Sequence, residues 1–238
     1  MVFKVTCLAL LVFGFAQSAV LPEEKCKLDD SACLTTAFQK MLPIFMSGIP
    51  DANVEVLDTM KMDDLAFDLA GLKFTLKDGE MKGMKNIVID SVEWDTKKKV
   101  FTSTYHMDGS VKGHYTAGGR ILILPITGDG QMKLKLKNLS MTLRIYYDVV
   151  KGEDGKDHIK PKKYNFEFDV KDNAHYHLTN LFNGNNQLSD TMLTFLNENW
   201  KQIATEFGTP MIEVAAKKTF KNIVNYFDAM PLEDIAIV

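Results

Sequence analysis

Two histidines, His175 and His177, are the strongest candidates for metal chemistry in this chain. Residues two apart on a strand share a face, so this pair could present both imidazoles to one ion. The alternation of Tyr176 and Leu178 turns the histidine face toward solvent, and no acidic residue or cysteine is spaced to complete a zinc site. We therefore predict no metal site.

Patterns that mark catalytic or nucleotide-binding sites are missing from the sequence. There is no G-x-S-x-G elbow, no P-loop, and no G-x-G-x-x-G after a strand. Asp63 and Asp64 could mimic paired carboxylates, but nothing nearby predicts a pocket that would shift their pKa values. His106, His114 and His158 fall at strand ends or turns and are predicted at the surface. We expect a protein without catalytic residues or a cofactor, and not an enzyme.

The composition is that of a globular protein able to bury a sizeable core. Of the 238 residues, 46% are hydrophobic and 25% are charged, and the formal net charge is -3. A near-neutral balance provides no general attraction to nucleic acid or to an anionic membrane. We therefore predict no nucleic-acid partner.

The first residues have the pattern of a secretion signal. Lys4 supplies a positive charge, residues 5–15 form an apolar run, and small residues follow up to Ala19. Crossing a bilayer of about 30 Å takes roughly 20 apolar residues, so this run is too short for an anchor. We predict a signal peptide over residues 1–19, one domain over residues 20–238, secretion, and no stable insertion into a membrane.

Cys26 and Cys33 are the cysteines that remain after removal of the signal. An even number in an oxidising compartment predicts a disulfide, which would hold the start of the mature chain beside the first helix. Closing so short a loop contributes about 2–3 kcal/mol. Asn138, followed by Leu139 and Ser140, matches the acceptor pattern for N-glycosylation and is a candidate site.

The mature chain starts with helical periodicity and then changes to a period of two. Apolar residues recur three and four apart over residues 31–45, with Ser31 as the candidate N-cap. Alternation over residues 54–180 predicts long antiparallel strands with one wet face and one dry face. Its parity switches at Asn138, which predicts a β-bulge, and a hairpin turn is predicted over residues 151–160.

The last third of the chain supplies a cover for the dry face. Apolar residues recur at helical spacing over residues 188–227, a length of roughly 60 Å at 1.5 Å per residue. Gly208 and Pro210 predict a kink or a short break. Such a helix exceeds the diameter of a compact domain, so the sheet must wrap along it. The predicted fold class is α+β, with a long C-terminal helix wrapped by a highly curved antiparallel sheet.

Several segments resemble the takeout and juvenile-hormone-binding family of insects. They are Cys26-x6-Cys33, the run KLKNLSMT at residues 135–142, the run LTNLFNGN at residues 178–185, and the more specific run FLNENW at residues 195–200. The resemblance covers nearly all of the mature chain. It implies a tubular lipid-binding fold with an internal hydrophobic tunnel and an elongated ligand, terpenoid, juvenile-hormone-like or another lipid. It also suggests a role in circadian, feeding or chemosensory physiology.

One departure from the family pattern concerns the cysteines. Members of the haemolymph hormone-carrier branch usually have a second disulfide, whereas this chain has no cysteine after Cys33. The difference favours the takeout branch over a carrier of juvenile hormone itself.

The tunnel wall is predicted from the apolar and tyrosine side chains that the periodicity turns inward. These are Phe38, Met41, Leu42, Phe45, Phe67, Phe74, Tyr105, Ile123, Met132, Leu134, Leu136, Tyr176, Met192, Phe195, Leu196, Ile203, Phe207, Met211 and Tyr226. Tyr105, Tyr176 and Tyr226 are candidates for a polar contact with an ester, ketone or epoxide. The thirteen methionines suit an interior that accepts varied apolar shapes. The N-terminal helix is expected to gate one end.

Two functions of different classes remain open. The first is a secreted carrier whose partner is a hydrophobic small molecule or lipid. The alternative is an extracellular interaction or signalling protein that holds a structural or membrane-derived lipid and acts through a receptor. In that alternative, charge reversal at Lys133, Lys135 and Lys137 would matter more than changes in the tunnel. Esterase assays on terpenoid esters would test a third reading, a hydrolase.

Overall fold

The computed structural model describes residue 22 and residues 24–237, so the predicted signal peptide at residues 1–19 lies outside the described residues. The helices are α1 (Ser31–Ser47), α2 (Asn186–Glu198), α3 (Trp200–Ala229) and α4 (Leu232–Ile235). The strands are β1 (Cys26–Lys27), β2 (Met60–Lys61), β3 (Leu65–Leu69), β4 (Leu72–Lys82), β5 (Val88–Asp95), β6 (Val100–Ile121), β7 (Leu124–Lys151), β8 (Asp157–Leu178) and β9 (Ala236–Ile237). None of the described helices combines the length and hydropathy needed to cross a membrane.

Seven strands form one antiparallel sheet, as the alternation predicted. Its path runs β2-β4-β6-β7-β8, while β3 pairs with β4 and β5 pairs with β6. On β7, Met132 and Leu134 are buried whereas Lys133 and Lys135 are exposed. The short strands β1 and β9 pair in parallel and bring the two ends of the described chain together.

A line of bulges bends the three longest strands. A straight strand with the 28 residues of β7 would span roughly 90 Å, about twice the length of the 30-residue α3. The pairing shifts register at Asp108 on β6 and at Asn138 on β7, which confirms the predicted bulge. Asn138 has a φ of 53°, a left-handed conformation that asparagine tolerates, and its backbone N–H donates to Asp108 at 2.8 Å. These bulges let the sheet curve.

The N-terminal helix α1 extends over the predicted residues and two more. Its N-cap is Asp30 rather than Ser31, because the Asp30 carboxylate accepts the backbone N–H of Cys33 at 3.0 Å. The Ser31 hydroxyl donates instead to a carbonyl of β5. Gly48, with a φ of 87°, ends the helix. The predicted disulfide joins Cys26 to Cys33, with a Cα–Cα distance of 5.7 Å.

The long C-terminal helical segment is broken at Asn199, and of the kink or short break predicted at residues 208–210 the break was wrong, because α3 is continuous there. The side-chain amide of Asn199 donates to the carbonyl of Phe195 at 2.9 Å where α2 ends. Helix α3 then continues through Pro210. An interior proline costs about 3 kcal/mol, and Ile203, Phe207 and other buried residues of α3 offset that cost by packing in the core.

Asn197 explains part of the FLNENW run at residues 195–200. Strand β8 ends the sheet path, so its outer backbone groups lack a neighbouring strand. The Asn197 side-chain oxygen accepts the N–H of Tyr176 at 2.8 Å, and its amide donates to the Tyr176 carbonyl at 3.0 Å. The side chain therefore pairs with the strand edge and ties α2 to the sheet.

His158 is buried, and its predicted surface position was wrong. The residue is 8% exposed because the C-terminal segment covers the start of β8 through a bridge to Pro231. Its Nδ1 lies 3.3 Å from the carbonyl oxygen of Phe227, and its Nε2 lies 3.2 Å from the Asp154 carboxylate.

The other candidate histidines behave as surface residues. His175 and His177 are exposed, and His106 and His114 are half-buried, each beside an aspartate. Among residues 24–237, no group of three or more His, Cys, Asp and Glu is arranged to hold a metal ion.

Removing the side-chain amide of Asn197, which pairs with the backbone of Tyr176, is expected to destabilise the protein. The substitution Asn197→Ala leaves a partly buried N–H and carbonyl of Tyr176 without partners, which costs about 1–3 kcal/mol of unfolding free energy. Thr194→Ala is the matched control, because Thr194 is exposed on the same helix and should change stability by no more than about 0.5 kcal/mol. Urea unfolding followed by circular dichroism measures both. Equal effects of the two substitutions would contradict the stabilising role of the Asn197 amide.

Candidate ligand-binding site

A cavity of about 170 Å³ lies between α1, the inner face of the sheet and the C-terminal half of α3. We call it compartment A. Its α1 wall consists of Leu34, Ala37, Phe38, Met41, Leu42 and Phe45. An apolar cavity of about 150 Å³ can bind a benzene-sized molecule, so compartment A has room for one such group.

The other walls of compartment A are equally apolar. The sheet supplies Ile89, Trp94, Phe101, Leu143 and Ile145, and α3 supplies Ile223, Tyr226 and Phe227. Phe38 of α1 stacks on Phe101 of β6 with ring centroids 5.1 Å apart, which holds the helix against the sheet. Trp94 packs edge-on against Phe101 and donates its indole N–H to the Tyr147 hydroxyl at 2.7 Å.

Two hydroxyl groups interrupt this apolar surface on β6. Ser103 and Tyr105 share the inner face and line compartment A. Within the described part of the chain, neither hydroxyl makes a hydrogen bond to another residue, so both can bond to a ligand. Burial raises the pKa of Tyr105 to about 12, which keeps its phenol protonated as a donor. Tyr226, across the compartment on α3, has its pKa raised to about 12 for the same reason.

Two smaller cavities, of about 70 and 40 Å³, lie farther along the sheet beneath α3. Both are lined by Leu134, Tyr176, Gly208 and Met211, so we treat them together as compartment B. Gly208 permits the close approach of α3 here, because a Cβ at this position would lie 2.9 Å from the Phe168 ring. Burial raises the pKa of the Tyr176 phenol above its ordinary value.

Comparison with known proteins assigns this architecture to a family. The model of the haemolymph juvenile hormone binding protein family matches residues 6–237. The chain belongs to this family. The crystal structure of Takeout 1 from Epiphyas postvittana superposes with a TM-score of 0.89 at 61% identity, over 90% of this chain and 100% of that chain. The tubular fold with its long C-terminal helix is therefore that of the takeout branch.

Two related insect proteins extend the comparison at the level of sequence. The circadian clock-controlled protein daywake of Drosophila melanogaster is 29% identical over 215 residues, which is 85% of this chain and 82% of that protein. The juvenile hormone-binding protein of Manduca sexta is 33% identical over 79 residues, which is 32% of this chain and 34% of that protein.

The structure divides the predicted tunnel residues between the compartments. Compartment A is lined by Phe38, Met41, Leu42, Phe45, Tyr105 and Tyr226. Compartment B is lined by Phe67, Phe74, Met132, Leu134, Leu136, Tyr176, Leu196, Ile203, Phe207 and Met211. Met192 and Phe195 pack in the core without lining either compartment. Whether any of these residues binds a ligand stays a prediction.

Ile123 does not belong to the tunnel wall. It lies at the tip of the turn between β6 and β7 and is 85% exposed. Its apolar neighbours suggested a buried run, but side chains at the tip of a tight turn point away from the sheet. The prediction for this residue was wrong because it relied on the hydrophobicity of the segment and did not take the turn into account.

Several lining residues were not predicted as part of the site. Leu143 and Ile145 have the same parity as the other inward residues on this half of β7, and Ser103 has the same parity as Tyr105. The inner-face parity could therefore have identified all three. Trp94 shares the parity of Val92 in the alternating run at residues 91–95, so the same rule could have identified it as well.

Raising the pH above about 10 is expected to lower the free energy of unfolding. Unfolded tyrosines ionise near pH 10, whereas burial holds the pKa values of Tyr105 and Tyr226 at about 12. The unfolded state therefore releases protons first, and stability present below pH 10 is lost as the pH rises toward 12. Tyr105→Phe should reduce this loss in urea titrations. Phenolate absorbance that develops at the same pH in native and denatured protein would contradict the expectation.

Proposed function

We propose that the protein is an extracellular carrier of an elongated hydrophobic ligand, of the terpenoid or lipid class. The observation that carries the proposal is compartment A, a cavity of about 170 Å³ walled almost wholly by apolar side chains. The family description names juvenile hormone binding, and the name of the Manduca sexta relative does the same for that protein. A sesquiterpenoid ester is therefore a suitable probe of the ligand class.

Affinity in such a site comes from removal of apolar ligand surface from water. Each buried methylene contributes about 0.8 kcal/mol, and preformed walls limit the cost of ordering the protein on binding. The disulfide between Cys26 and Cys33, together with the stacking of Phe38 on Phe101, fixes α1 at the wall of compartment A.

Orientation of the ligand requires polar contacts within this apolar site. The hydroxyls of Ser103 and Tyr105 are donors on one face of β6. A ligand that carries an ester, ketone or epoxide oxygen can accept from them without leaving a buried polar group unpaired. The carrier therefore favours an apolar chain with one hydrogen-bond acceptor over a pure hydrocarbon.

The geometry supports a carrier rather than an enzyme. Ser103 is the serine in the lining of compartment A, and within residues 24–237 it makes no hydrogen bond to a histidine or carboxylate that could activate it as a nucleophile. Among the described residues, the side chains that line compartment A include no histidine. A bound ester should accordingly be recovered intact.

Secretion is part of the proposal. A disulfide is typical of oxidising compartments, and the pattern of residues 1–19 is that of a cleaved signal. Detection of the mature chain in the medium of expressing insect cells, beginning near residue 20, would test it. Retention of the full-length chain inside the cells would contradict it.

Filling part of compartment A is expected to weaken ligand binding. Native mass spectrometry of the purified protein should show an added mass that organic solvent extracts. Ala37→Phe projects a ring into the cavity and should weaken binding of a sesquiterpenoid methyl ester by about tenfold or more, since each ligand methylene that is no longer buried costs about 0.8 kcal/mol. Ala32→Phe, on the exposed side of the same helix, is the matched control and should bind normally.

Two results would contradict the proposed carrier function. One is a wild-type protein that carries no extractable mass and binds no sesquiterpenoid ester. The other is equal binding by Ala37→Phe and Ala32→Phe. A triple reversal of Lys133, Lys135 and Lys137 to glutamate, on the exposed face of β7, should leave affinity unchanged.

Removing the Tyr105 hydroxyl is expected to weaken binding of a ligand that carries an ester group and to leave the affinity for a pure hydrocarbon unchanged. Tyr105→Phe should weaken binding of the sesquiterpenoid ester by about fivefold, the value of one net hydrogen bond near 1 kcal/mol. The corresponding sesquiterpene hydrocarbon, which cannot accept a hydrogen bond, serves as the control ligand. Fluorescence-probe displacement measures both affinities. An equal loss for ester and hydrocarbon would show that the ring, and not the hydroxyl, makes the contact.

A further inference from the structure

The interior space is interrupted between compartments A and B. In the part of the chain that the structure describes, the two compartments have no lining residue in common. On α3, Ala215 lines compartment B and Thr219 lines compartment A, so the gap along the helix is four residues, about 6 Å. The compartments are therefore neighbours separated by a thin layer of side chains.

Methionines form this layer on the two central strands. On β7, Leu143 lines compartment A and Leu139 lines compartment B, and the inward residue between them is Met141. On β6, Met107 follows Tyr105 on the same face, and its methyl group lies 3.0 Å from the position of a Cβ on Gly109. Neither methionine lines a compartment, and both are at most 5% exposed.

The pairing of the strands brings the two methionines together. Tyr105 pairs with Met141, and Met107 pairs with Leu139, so Met107 and Met141 are diagonal neighbours on the inner face. Together they close the space between the compartments from the side of the sheet. An unbranched thioether side chain has three rotatable bonds and can change rotamer without displacing the backbone.

Compartment A alone is short for an elongated ligand. It accommodates roughly one ring-sized group, whereas Ile145 in compartment A and Leu134 in compartment B lie eleven residues apart on β7, roughly 35 Å along the strand. A long chain that crosses the methionine layer gains the room of compartment B.

We propose that Met107 and Met141 form an adjustable partition that sets the length of the ligand the protein accepts. Short ligands occupy compartment A and leave the partition closed. A longer unbranched chain displaces the methionine side chains and extends into compartment B. This inference rests on the carrier function proposed above, and it assigns the selection of chain length to these two residues.

The test uses straight-chain methyl ketones, from hexan-2-one to nonadecan-2-one, which displace a fluorescent apolar probe from the purified protein. Each methylene that becomes buried raises affinity about fourfold. Met141→Ala opens the partition and should raise affinity for nonadecan-2-one by about tenfold or more, while affinity for hexan-2-one, which is close in size to a single ring, changes by less than about threefold. Met141→Phe keeps the position filled with a stiffer side chain and should lower affinity for the longest ketone selectively.

Met192→Ala is the matched control, because Met192 is equally buried, at 4% exposed, but lines neither compartment. It should shift all ketones by one common factor. The partition is overturned if Met141→Ala also shifts all ketones equally, or if Met192→Ala produces the same selective gain. A wild-type protein that binds no ketone at all would overturn the carrier itself, so the two failures are distinguishable.

Discussion

The dry inner face of the curved sheet is the constraint on which the rest of the structure depends. Strands β6, β7 and β8, with 22, 28 and 22 residues, alternate apolar and polar residues over most of their length, so most of one face must be kept from water. Helix α3 covers this face from one side and α1 from the other. Two helical cylinders cannot fill every part of a concave surface, and the space that remains forms compartments A and B.

Polar groups within this interior fall into two classes. Asn197 satisfies the edge of β8, and the fully buried Asn222 accepts the backbone N–H of Glu55 at 2.6 Å, so both amides stabilise the fold. The hydroxyls of Ser103 and Tyr105 make no such bond among the described residues. The hydrogen-bonded amides stabilise the walls of the interior. The unpaired hydroxyls remain available to recognise a ligand and so to provide specificity.

Local patterns predicted the elements well where one physical rule dominated. The period of two located the strands, the parity switch located the bulge at Asn138, and two cysteines in an oxidising context located the disulfide. Predictions failed where two rules competed. Pro210 does not break α3 because packing against the sheet outweighs the lost hydrogen bond. His158 is buried because a segment from the far end of the chain covers it.

Within the regular parts of the strands and helices, the sequence by itself determined which side chains face inward, because side-chain direction there follows from local periodicity. It also determined the family, since the FLNENW run and its companions are continuous segments. Only the tertiary structure decided where the interior stays open and where methionines close it. A cavity is set by the distance between elements such as α1 and β6, which lie far apart in the chain, and no local pattern encodes that distance.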